Sequence, residues 1–270
     1  MPYHYLPPPE PLKNYIRFFW ILENKDSSAD LKTFTIMADG CPGLIFQKTE
    51  SQPFYQNGKV LPTTFLYGQA TTHAQIALSR STTIGIYFYP HVFPEIFGFN
   101  AHELTNTCLN VDELASSRHF YLTEQLMQAT SATEQIKLLS AYLLSQINCH
   151  HRLGNGLINE AVAQIVKTKG NIAVKDLQKN LRLTERSLER KFKQNVGISP
   201  KMFSRICRFQ AALSQVKNYT GNKLSDIAYE NEYADQSHFI REFKEFAGFT
   251  PYQFQKQPSS DFISLPELIR

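Results

Sequence analysis

The chain has 270 residues, of which 42% are hydrophobic and 19% are charged, and its formal net charge is +4. This composition is typical of a globular protein and excludes a disordered or collagen-like chain, while the length favours two domains. The chain has neither an apolar run of the ~20 residues that a membrane helix needs nor an N-terminal signal-peptide pattern. We therefore expect a cytoplasmic protein with no membrane partner.

The charge is unevenly distributed along the chain. Residues 1–150 contain 9 Lys and Arg against 12 Asp and Glu, a net charge of −3, whereas residues 151–270 contain 19 against 12, a net charge of +7. Lys and Arg side chains gain free energy on a phosphate backbone because they release its counterions. The second half is therefore the candidate for binding a polyanion.

The first hundred residues carry the pattern of β-strands. Five prolines make residues 1–12 an expected extended lead-in. Six runs rich in β-branched and aromatic residues then predict strands at 15–22, 34–37, 44–47, 64–67, 75–78 and 83–89. Turn signals at 38–43 and 56–59 separate some of them, and together they predict a small β-sandwich or barrel.

After Pro90 the hydrophobic period changes to that of helices. Residues 113–128 and 133–148 are predicted helices, and the second has an apolar stripe along one face. The stripe consists of Ile136, Leu139, Leu143 and Ile147. The pattern does not distinguish packing on the barrel from contact with a second subunit, so a homodimer stays open.

No catalytic constellation is visible in the sequence. Five histidines in the first half are scattered, His150 and His151 fall in the expected linker, and the four cysteines form no closely spaced pair. Nucleophile-elbow and phosphate-loop motifs are absent. We therefore expect no enzymatic activity, no metal and no cofactor, although a small barrel can hold a ligand among apolar side chains.

The second half predicts two similar helical units. The first has helices at 155–169 and 174–180, a turn at 181–183 and a third helix capped by Thr184, whose Leu188 and Phe192 face inward. The second has a helix at 224–229, a turn at 230–234 and a helix capped by Asp235, on which Phe239, Phe243 and Phe246 face inward. A long helix at 201–218 joins them, so the pattern predicts a repeated helix-turn-helix that reads DNA.

The residues of this second half resemble the AraC/XylS-type transcription regulators over about residues 155–256. In the first unit the resemblance rests on the run Leu183 to Lys193, then Gly197 to Pro200, Phe203, Arg208 and Ala211. In the second unit it rests on Asp226 to Ala228, Asp235 to Lys244 and Gly248 to Pro251.

Two positions depart from the family pattern. The second turn has Glu232-Tyr233 where the family has Gly-Phe, and Gln255 stands where an arginine is usual. If the backbone at Glu232 needs a positive φ, its side chain adds strain to the turn that positions the second unit.

The resemblance implies that the two capped helices enter successive major-groove segments of double-stranded DNA. The DNA-binding residues that it implies are Thr184, Arg186, Glu189, Arg190 and Lys193 in the first unit and Gln236, Ser237, His238 and Arg241 in the second. Structural roles compete with this interpretation at three of them: Glu189 can pair with Lys193, His238 can be a partly buried ring, and Ser237 can form a hydrogen bond at the helix terminus. Lys191, Lys193, Lys201 and Arg205 are expected to contact phosphate or solvent, and Arg208 can pair with a carboxylate instead.

The first half looks like the cupin-like sensory domains attached to some members of this family, on the passages 39–46 and 84–90. The predicted organisation is an α+β two-domain chain: a cupin-like barrel at 1–110, a helical dimerisation or linker region at 111–150, the double helix-turn-helix at 151–258 and a tail at 259–270. The resemblance implies an effector or dimerisation in the first domain, contact with RNA polymerase and activation of transcription. The alternative is a ligand-modifying cupin enzyme with a regulatory DNA-binding domain. The tail at 259–270 is either a docking segment or packs on its own chain.

Overall fold

A computed structural model describes residues 3–24, 31–50, 52–114, 119–150, 156–218 and 223–256 and the backbone of 262–263. Within these ranges the first half of the chain forms two sheets with helices on one side, and the second half is helical apart from Phe262–Ile263, which adds a parallel strand to the smaller sheet. The predicted α+β two-domain fold is therefore confirmed.

The larger sheet has six strands, in the order β1-β2-β9-β4-β7-β10. Its strands are β1 (Tyr3–Leu6), β2 (Ile16–Asn24), β4 (Gly43–Thr49), β7 (Thr64–Tyr67), β9 (Ser81–Phe88) and β10 (Cys108–Asn110). The central strand β9 pairs with both β2 and β4, so Gly85 lies opposite Trp20 on one side and Ile45 on the other. A side chain at Gly85 would collide with the Trp20 indole, because an added Cβ would lie 1.9 Å from Cε2. Glycine therefore lets the tryptophan lie flat across the sheet.

The smaller sheet has five strands, in the order β11-β3-β8-β5-β6. Its strands are β3 (Lys32–Ile36), β5 (Tyr55–Gln56), β6 (Lys59–Val60), β8 (Ala74–Leu78) and β11 (Phe262–Ile263). Asn57 (φ 49°) and Gly58 (φ 80°) form the turn between β5 and β6, where the sequence predicts one. The two sheets face each other without closing, so the structure is an open sandwich and not a barrel.

Helices cover the outer face of the larger sheet. They are α1 (Phe93–Phe97), a short 3-10 helix (Ala101–Leu104), α2 (Leu122–Gln128) and α3 (Ala132–His150). Leu139 and Leu143 are fully buried against this sheet, and Ile136 and Ile147 pack beside them. The apolar stripe of α3 is therefore part of the chain's own core, as one of the two predicted alternatives required.

The second half contains seven helices in the described residues. They are α4 (Gly156–Lys167), α5 (Val174–Leu181), α6 (Glu185–Val196), α7 (Pro200–Lys217), α8 (Leu224–Glu230), α9 (Gln236–Ala247) and α10 (Pro251–Lys256). The long α7 contributes fully buried side chains, such as Phe203, Ile206 and Phe209, to one continuous apolar core. That core includes Trp20, Met37 and Tyr87 of the sandwich, so the two halves share buried apolar surface.

One predicted helix was wrong in its bounds, and several short strands were not predicted. The expected helix at 113–128 begins only at Leu122, after Tyr121 in the left-handed conformation (φ 50°). The proline-rich lead-in is extended as expected, and it contains β1, an edge strand that tolerates the prolines beside it. The strands β5, β6 and β10 are only two or three residues long, which is too short to leave a periodic pattern.

The described backbone of the C-terminal tail pairs with its own chain. Phe262–Ile263 runs parallel to β3 and adds a strand at the edge of the smaller sheet. The rest of the tail and the histidine at 151 in the predicted linker lie outside the described residues. None of the described helices is both long enough and apolar enough to span a membrane.

Candidate nucleic-acid interface and ligand cavity

The first helix-turn-helix consists of α5, a tight turn and α6. The Thr184 hydroxyl accepts a hydrogen bond from the backbone N–H of Ser187 at 3.3 Å, so Thr184 caps α6 as predicted. Leu188 and Phe192 are fully buried under the helix, which fixes its rotation. The predicted DNA-binding side chains on its outer surface are exposed at Arg186, Arg190 and Lys193 and half-buried at Glu189.

The second unit repeats this arrangement with α8 and α9. The Asp235 carboxylate accepts a hydrogen bond from the backbone N–H of His238 at 2.7 Å and caps α9 as predicted. Phe239, Phe243 and Phe246 are fully buried beneath α9. Gln236, Ser237 and Arg241 are exposed, so three of the four predicted residues of this helix are accessible to a ligand.

Both turns use a non-glycine residue in the left-handed conformation. Arg182 (φ 53°) ends α5, and Glu232 (φ 57°) stands in the second turn, where the family pattern has glycine. The predicted positive φ at Glu232 is therefore present, and so is the strain that it places on a side chain. The neighbouring Tyr233 is buried and packs against the rings of Phe239 and His238. The Arg208 guanidinium lies over the Tyr233 ring, 5.1 Å from its centroid.

Two structural alternatives for the predicted DNA-binding residues have different outcomes. Glu189 and Lys193 form no ion pair within the part of the chain that the structure describes, so the competing structural role for Glu189 finds no support. His238 is half-buried, with its Nε2 3.6 Å from a carboxylate oxygen of Glu242 and its ring at the edge of Tyr233. His238 is therefore a partly buried ring, as the structural alternative predicted.

The buried carboxylate of Glu242 ties α9 to the long helix α7. Its side chain is only 2% exposed, and it accepts a hydrogen bond from Arg205 Nε at 2.9 Å and lies 3.8 Å from Arg208 Nε. Arg205 also donates to Glu245 at 2.7 Å and stacks over the Phe246 ring. The predicted pairing of Arg208 with a carboxylate is thus confirmed, whereas the expectation that Arg205 contacts phosphate or solvent was wrong.

Sequence reasoning missed Glu242 because it looks like one more surface charge on a polar helix. The signal was its position: it lies three residues after Phe239 and one before Phe243, on the inward side of α9. The pairing with two arginines of α7 depends on how three helices meet, which no local pattern contains.

Residues of the N-terminal half donate hydrogen bonds to the C-terminal ends of α6 and α9. The last carbonyls of a helix have no partner inside it. At the end of α9, the Phe246 carbonyl accepts from the Ala38 N–H at 3.1 Å and the Glu245 carbonyl accepts from the His73 N–H at 3.3 Å. After α6, the Gly197 carbonyl accepts from the Thr105 hydroxyl at 2.7 Å. Donors from the sandwich thus satisfy these carbonyls, while the N-terminal turns of α6 and α9 stay exposed.

A further bond joins the same loop to α7. Gln210 is buried, and its Nε2 donates to the Ala38 carbonyl at 2.6 Å. Ala38 therefore uses both of its backbone groups to contact the helical half, one toward α7 and one toward α9. Ala38 thus links the two halves through two hydrogen bonds, and the sequence shows it only as part of a turn.

A cavity of about 100 Å³ lies between the two sheets, next to this loop. Its walls include Trp20, Met37, Asp39, Gln69, Thr83 and Tyr87. This volume far exceeds what one water needs and approaches that of an engineered apolar cavity, ~150 Å³, that binds benzene. Met37 and Asp39 flank Ala38, so the cavity and the contact between the halves share a stretch of backbone.

A polar cluster forms part of the cavity wall. The Asp39 carboxylate accepts the Cys41 N–H at 3.0 Å and the Tyr87 hydroxyl, and Arg17 Nη1 lies 3.3 Å from Cys41 Sγ. Burial raises the pKa of Asp39 and of Tyr87, and burial raises the pKa of the Cys41 thiol to about 12. A thiol with so high a pKa is not a nucleophile near neutral pH. The described residues contain no group of His, Cys, Asp and Glu side chains that could hold a metal ion.

Two protein-family models match this chain. One is described as a helix-turn-helix domain and matches residues 177–257, which include α6 to α10 and most of α5. The other is described as a domain of unknown function, DUF6597, and matches residues 4–110, which include the described strands except β11. The first match confirms the predicted helix-turn-helix domain. No curated protein sequence matches.

Among solved structures, ToxT from Vibrio cholerae O395 aligns over 88% of this chain and 96% of its own, with 14% identity and a TM-score of 0.45. Unsaturated fatty acid bound wild-type ToxT from V. cholerae strain SCE256 covers 90% and 100%, with 12% identity and a TM-score of 0.42. The C-terminal domain of AraT, a response regulator from Geobacillus stearothermophilus, covers 42% and 91%, with 23% identity and a TM-score of 0.36.

Proposed function

We propose that this chain, whose C-terminal half is an AraC/XylS-type double helix-turn-helix, is a sequence-specific transcription regulator. Helices α6 and α9 of one chain enter successive major-groove segments on one face of the duplex, about 34 Å apart. The observation that carries the proposal is the repeated geometry: two capped helices, each with buried aromatic residues below and exposed polar residues above, packed on the shared helix α7.

The exposed side chains suit the edges of base pairs. Arg186, Arg190 and Arg241 can donate two hydrogen bonds to guanine O6 and N7, Gln236 can pair with adenine, and Glu189 can accept from cytosine N4. Ser237, Thr184 and Lys193 lie where backbone contacts that position the protein are expected. His238 contributes mainly by fixing the start of α9, since its ring is held between Tyr233 and Glu242.

We infer that the sandwich regulates DNA binding and that the protein activates transcription when its cavity is filled. The support is the loop around Ala38, which borders the cavity and bonds to both α7 and α9. A molecule that displaces Met37 or Asp39 also moves the backbone that fixes these two helices. Binding in the cavity thereby biases the orientation of one recognition helix relative to the other.

We also propose that the protein contacts RNA polymerase and forms a homodimer on a surface other than the α3 stripe, because Leu139 and Leu143 are already fully buried in their own chain. The dimer is checked by light scattering at working concentration, where a mass twice the 31.0 kDa of one chain is expected. A mass near that of one chain contradicts it.

We further propose that the cavity acts in sensing and not in catalysis.

The experiment that tests the proposal is selection of binding sites from a randomised duplex library, followed by sequencing at several salt concentrations. We expect an enriched motif with two boxes about one helical turn apart, bound ~10³-fold or more tightly than random DNA. Weak binding that depends steeply on salt and shows no sequence preference would contradict a sequence-specific regulator.

A further inference from the structure

The cavity between the sheets contains buried polar atoms that the protein itself does not satisfy. Gln69 and Thr83 both line the cavity and are each 1% exposed. Gln69 Oε1 and Thr83 Oγ1 have no hydrogen-bond partner among the described residues. A buried polar atom without a partner destabilises the folded protein, so its presence points to a partner from outside the chain.

The direction of the missing bond at Gln69 is fixed. Its Nε2 donates to the Gly40 carbonyl at 2.9 Å, and a carbonyl can only accept. The amide is therefore oriented with its oxygen as the unsatisfied group, which requires a donor. The Thr83 hydroxyl can accept or donate, so it is compatible with the same donor group.

The charge of the cavity excludes one class of ligand. Among its described lining residues, Asp39 is the only charged one, and none is Lys, Arg or His. The neighbouring Arg17 is engaged with Cys41 Sγ at 3.3 Å and lies over the Phe18 ring at 5.7 Å. A carboxylate placed in the cavity would meet the Asp39 carboxylate and the Gln69 oxygen, both acceptors, without a cation in the wall.

We propose that this cavity binds a small, mainly apolar molecule that is neutral or positively charged and that donates a hydrogen bond to Gln69 Oε1. The same cavity rejects carboxylates. The proposal deepens the proposed function, since it names the chemical class of the effector. Binding in the cavity is measured without DNA, so it stands or fails independently of sequence-specific DNA recognition.

The chain contains its own reporter for this test. Trp20 is the only tryptophan of the 270 residues, and it lies in the cavity wall. Excitation of tryptophan therefore reports on this site alone. Saturated ligands are the right probes because they do not absorb where tryptophan is excited, and we choose cyclohexylmethanol, cyclohexylmethylammonium and cyclohexanecarboxylate, which share one apolar body.

We expect the alcohol and the ammonium to change Trp20 emission with saturation. The carboxylate should bind about tenfold or more weakly at the same pH, because it would lie near Asp39 and no cation is among the described lining residues. Equal or tighter binding of the carboxylate would overturn the proposal. Absence of a saturable change with all three probes would overturn it as well.

Two variants locate the binding and each has a matched control. Thr83→Val removes the hydroxyl without breaking an internal bond and should weaken the alcohol by about threefold to tenfold, whereas Thr82→Val, on the opposite face of β9, should not. Gln69→Met should reduce the preference for the alcohol over the carboxylate, whereas Gln135→Met, which is also buried but lies in α3, should leave it unchanged. Wild-type affinities in both cavity variants would refute the assignment.

The assays also separate this proposal from the proposed function. Thermal unfolding of each variant confirms that it is folded, and binding of the selected operator is measured in parallel. Trp20 titration by the alcohol together with sequence-blind DNA binding would uphold the ligand class and overturn the regulator. If the protein binds an operator specifically but Trp20 responds to no probe, the regulator is upheld and the ligand class is overturned.

Discussion

The carboxylate of Glu242 receives two arginines and a histidine at the base of the second recognition helix. Removing one partner of a buried charge cluster leaves the others without compensation, and here Arg205 and Arg208 are partly exposed, which moderates the cost. We predict that Glu242→Ala lowers the free energy of unfolding by about 2–3 kcal/mol. Urea denaturation measures this, and a loss below that of Lys244→Ala, an exposed control on the same helix, would contradict it.

A single exposed arginine carries a different kind of prediction. Arg190 is exposed on α6 and no contact ties it down in the described structure. We predict that Arg190→Ala weakens binding to the selected operator by about 1–3 kcal/mol and relaxes base preference at one position. Arg80→Ala, the same change on the sandwich, should leave both unaltered. Fluorescence anisotropy with operator and mutated operators measures the two effects, and an unchanged base preference removes Arg190 from the interface.

At this scale, the sequence predicts what is local. The caps Thr184 and Asp235 and the inward residues Leu188 and Phe239 follow from spacing within one helix, and the structure confirms them. The partners of Arg205 and the bonds of Ala38 join residues more than 30 apart in the chain. Such contacts depend on the packing of whole elements, so they were not predictable.

The second turn is strained at Glu232, and the strain can be relieved. A left-handed φ costs about 1–2 kcal/mol for a residue with a Cβ and little for glycine, whose larger unfolded-state entropy offsets part of the gain. We predict that Glu232→Gly stabilises the protein by about 0.5–1 kcal/mol. Glu230→Gly, two residues earlier in α8, should destabilise it by a similar amount. Chemical denaturation of the pair measures both, and destabilisation by Glu232→Gly would show that the turn is not strained.

His91, in the segment between β9 and α1, makes the free energy of unfolding depend on pH. Burial lowers the pKa of His91 from 6.5 to about 4, so the folded protein keeps this ring neutral where the unfolded chain protonates it. The contribution of His91 to stability is therefore present above pH 6.5 and is lost as the pH falls toward 4, by at most about 3 kcal/mol.

Denaturation between pH 7 and 4 checks this prediction. His91→Phe should flatten the curve in this window, whereas His102→Phe, at an exposed position, should follow the wild-type curve. Identical slopes for wild type and His91→Phe would contradict the role of His91.

Elements with a strong period were predictable and short ones were not. The helices α3, α6, α7 and α9 lie within a few residues of their predicted bounds, because each buries one apolar face along several turns. The pairing of β1 beside prolines and the late start of α2 were missed. Both depend on the neighbouring sheet and turn rather than on the segment's own pattern.

In the whole molecule, the helical half shares one buried apolar cluster with part of the sandwich, and donors of the N-terminal half cap the C-terminal ends of α6 and α9. The division of charge predicted which half binds DNA. It could not predict that Ala38, at the rim of the cavity, holds both α7 and α9.

The central claim is that two helices of one chain read two adjacent segments of DNA. The most direct measurement repeats the library selection with Arg190→Ala and with Arg241→Ala, one substitution in each recognition helix. We expect each variant to lose information in a different box, with the boxes 10–10.5 base pairs apart. Loss in the same box by both variants, or no loss with Arg241→Ala, would contradict a two-helix reader and leave α6 as the sole recognition helix.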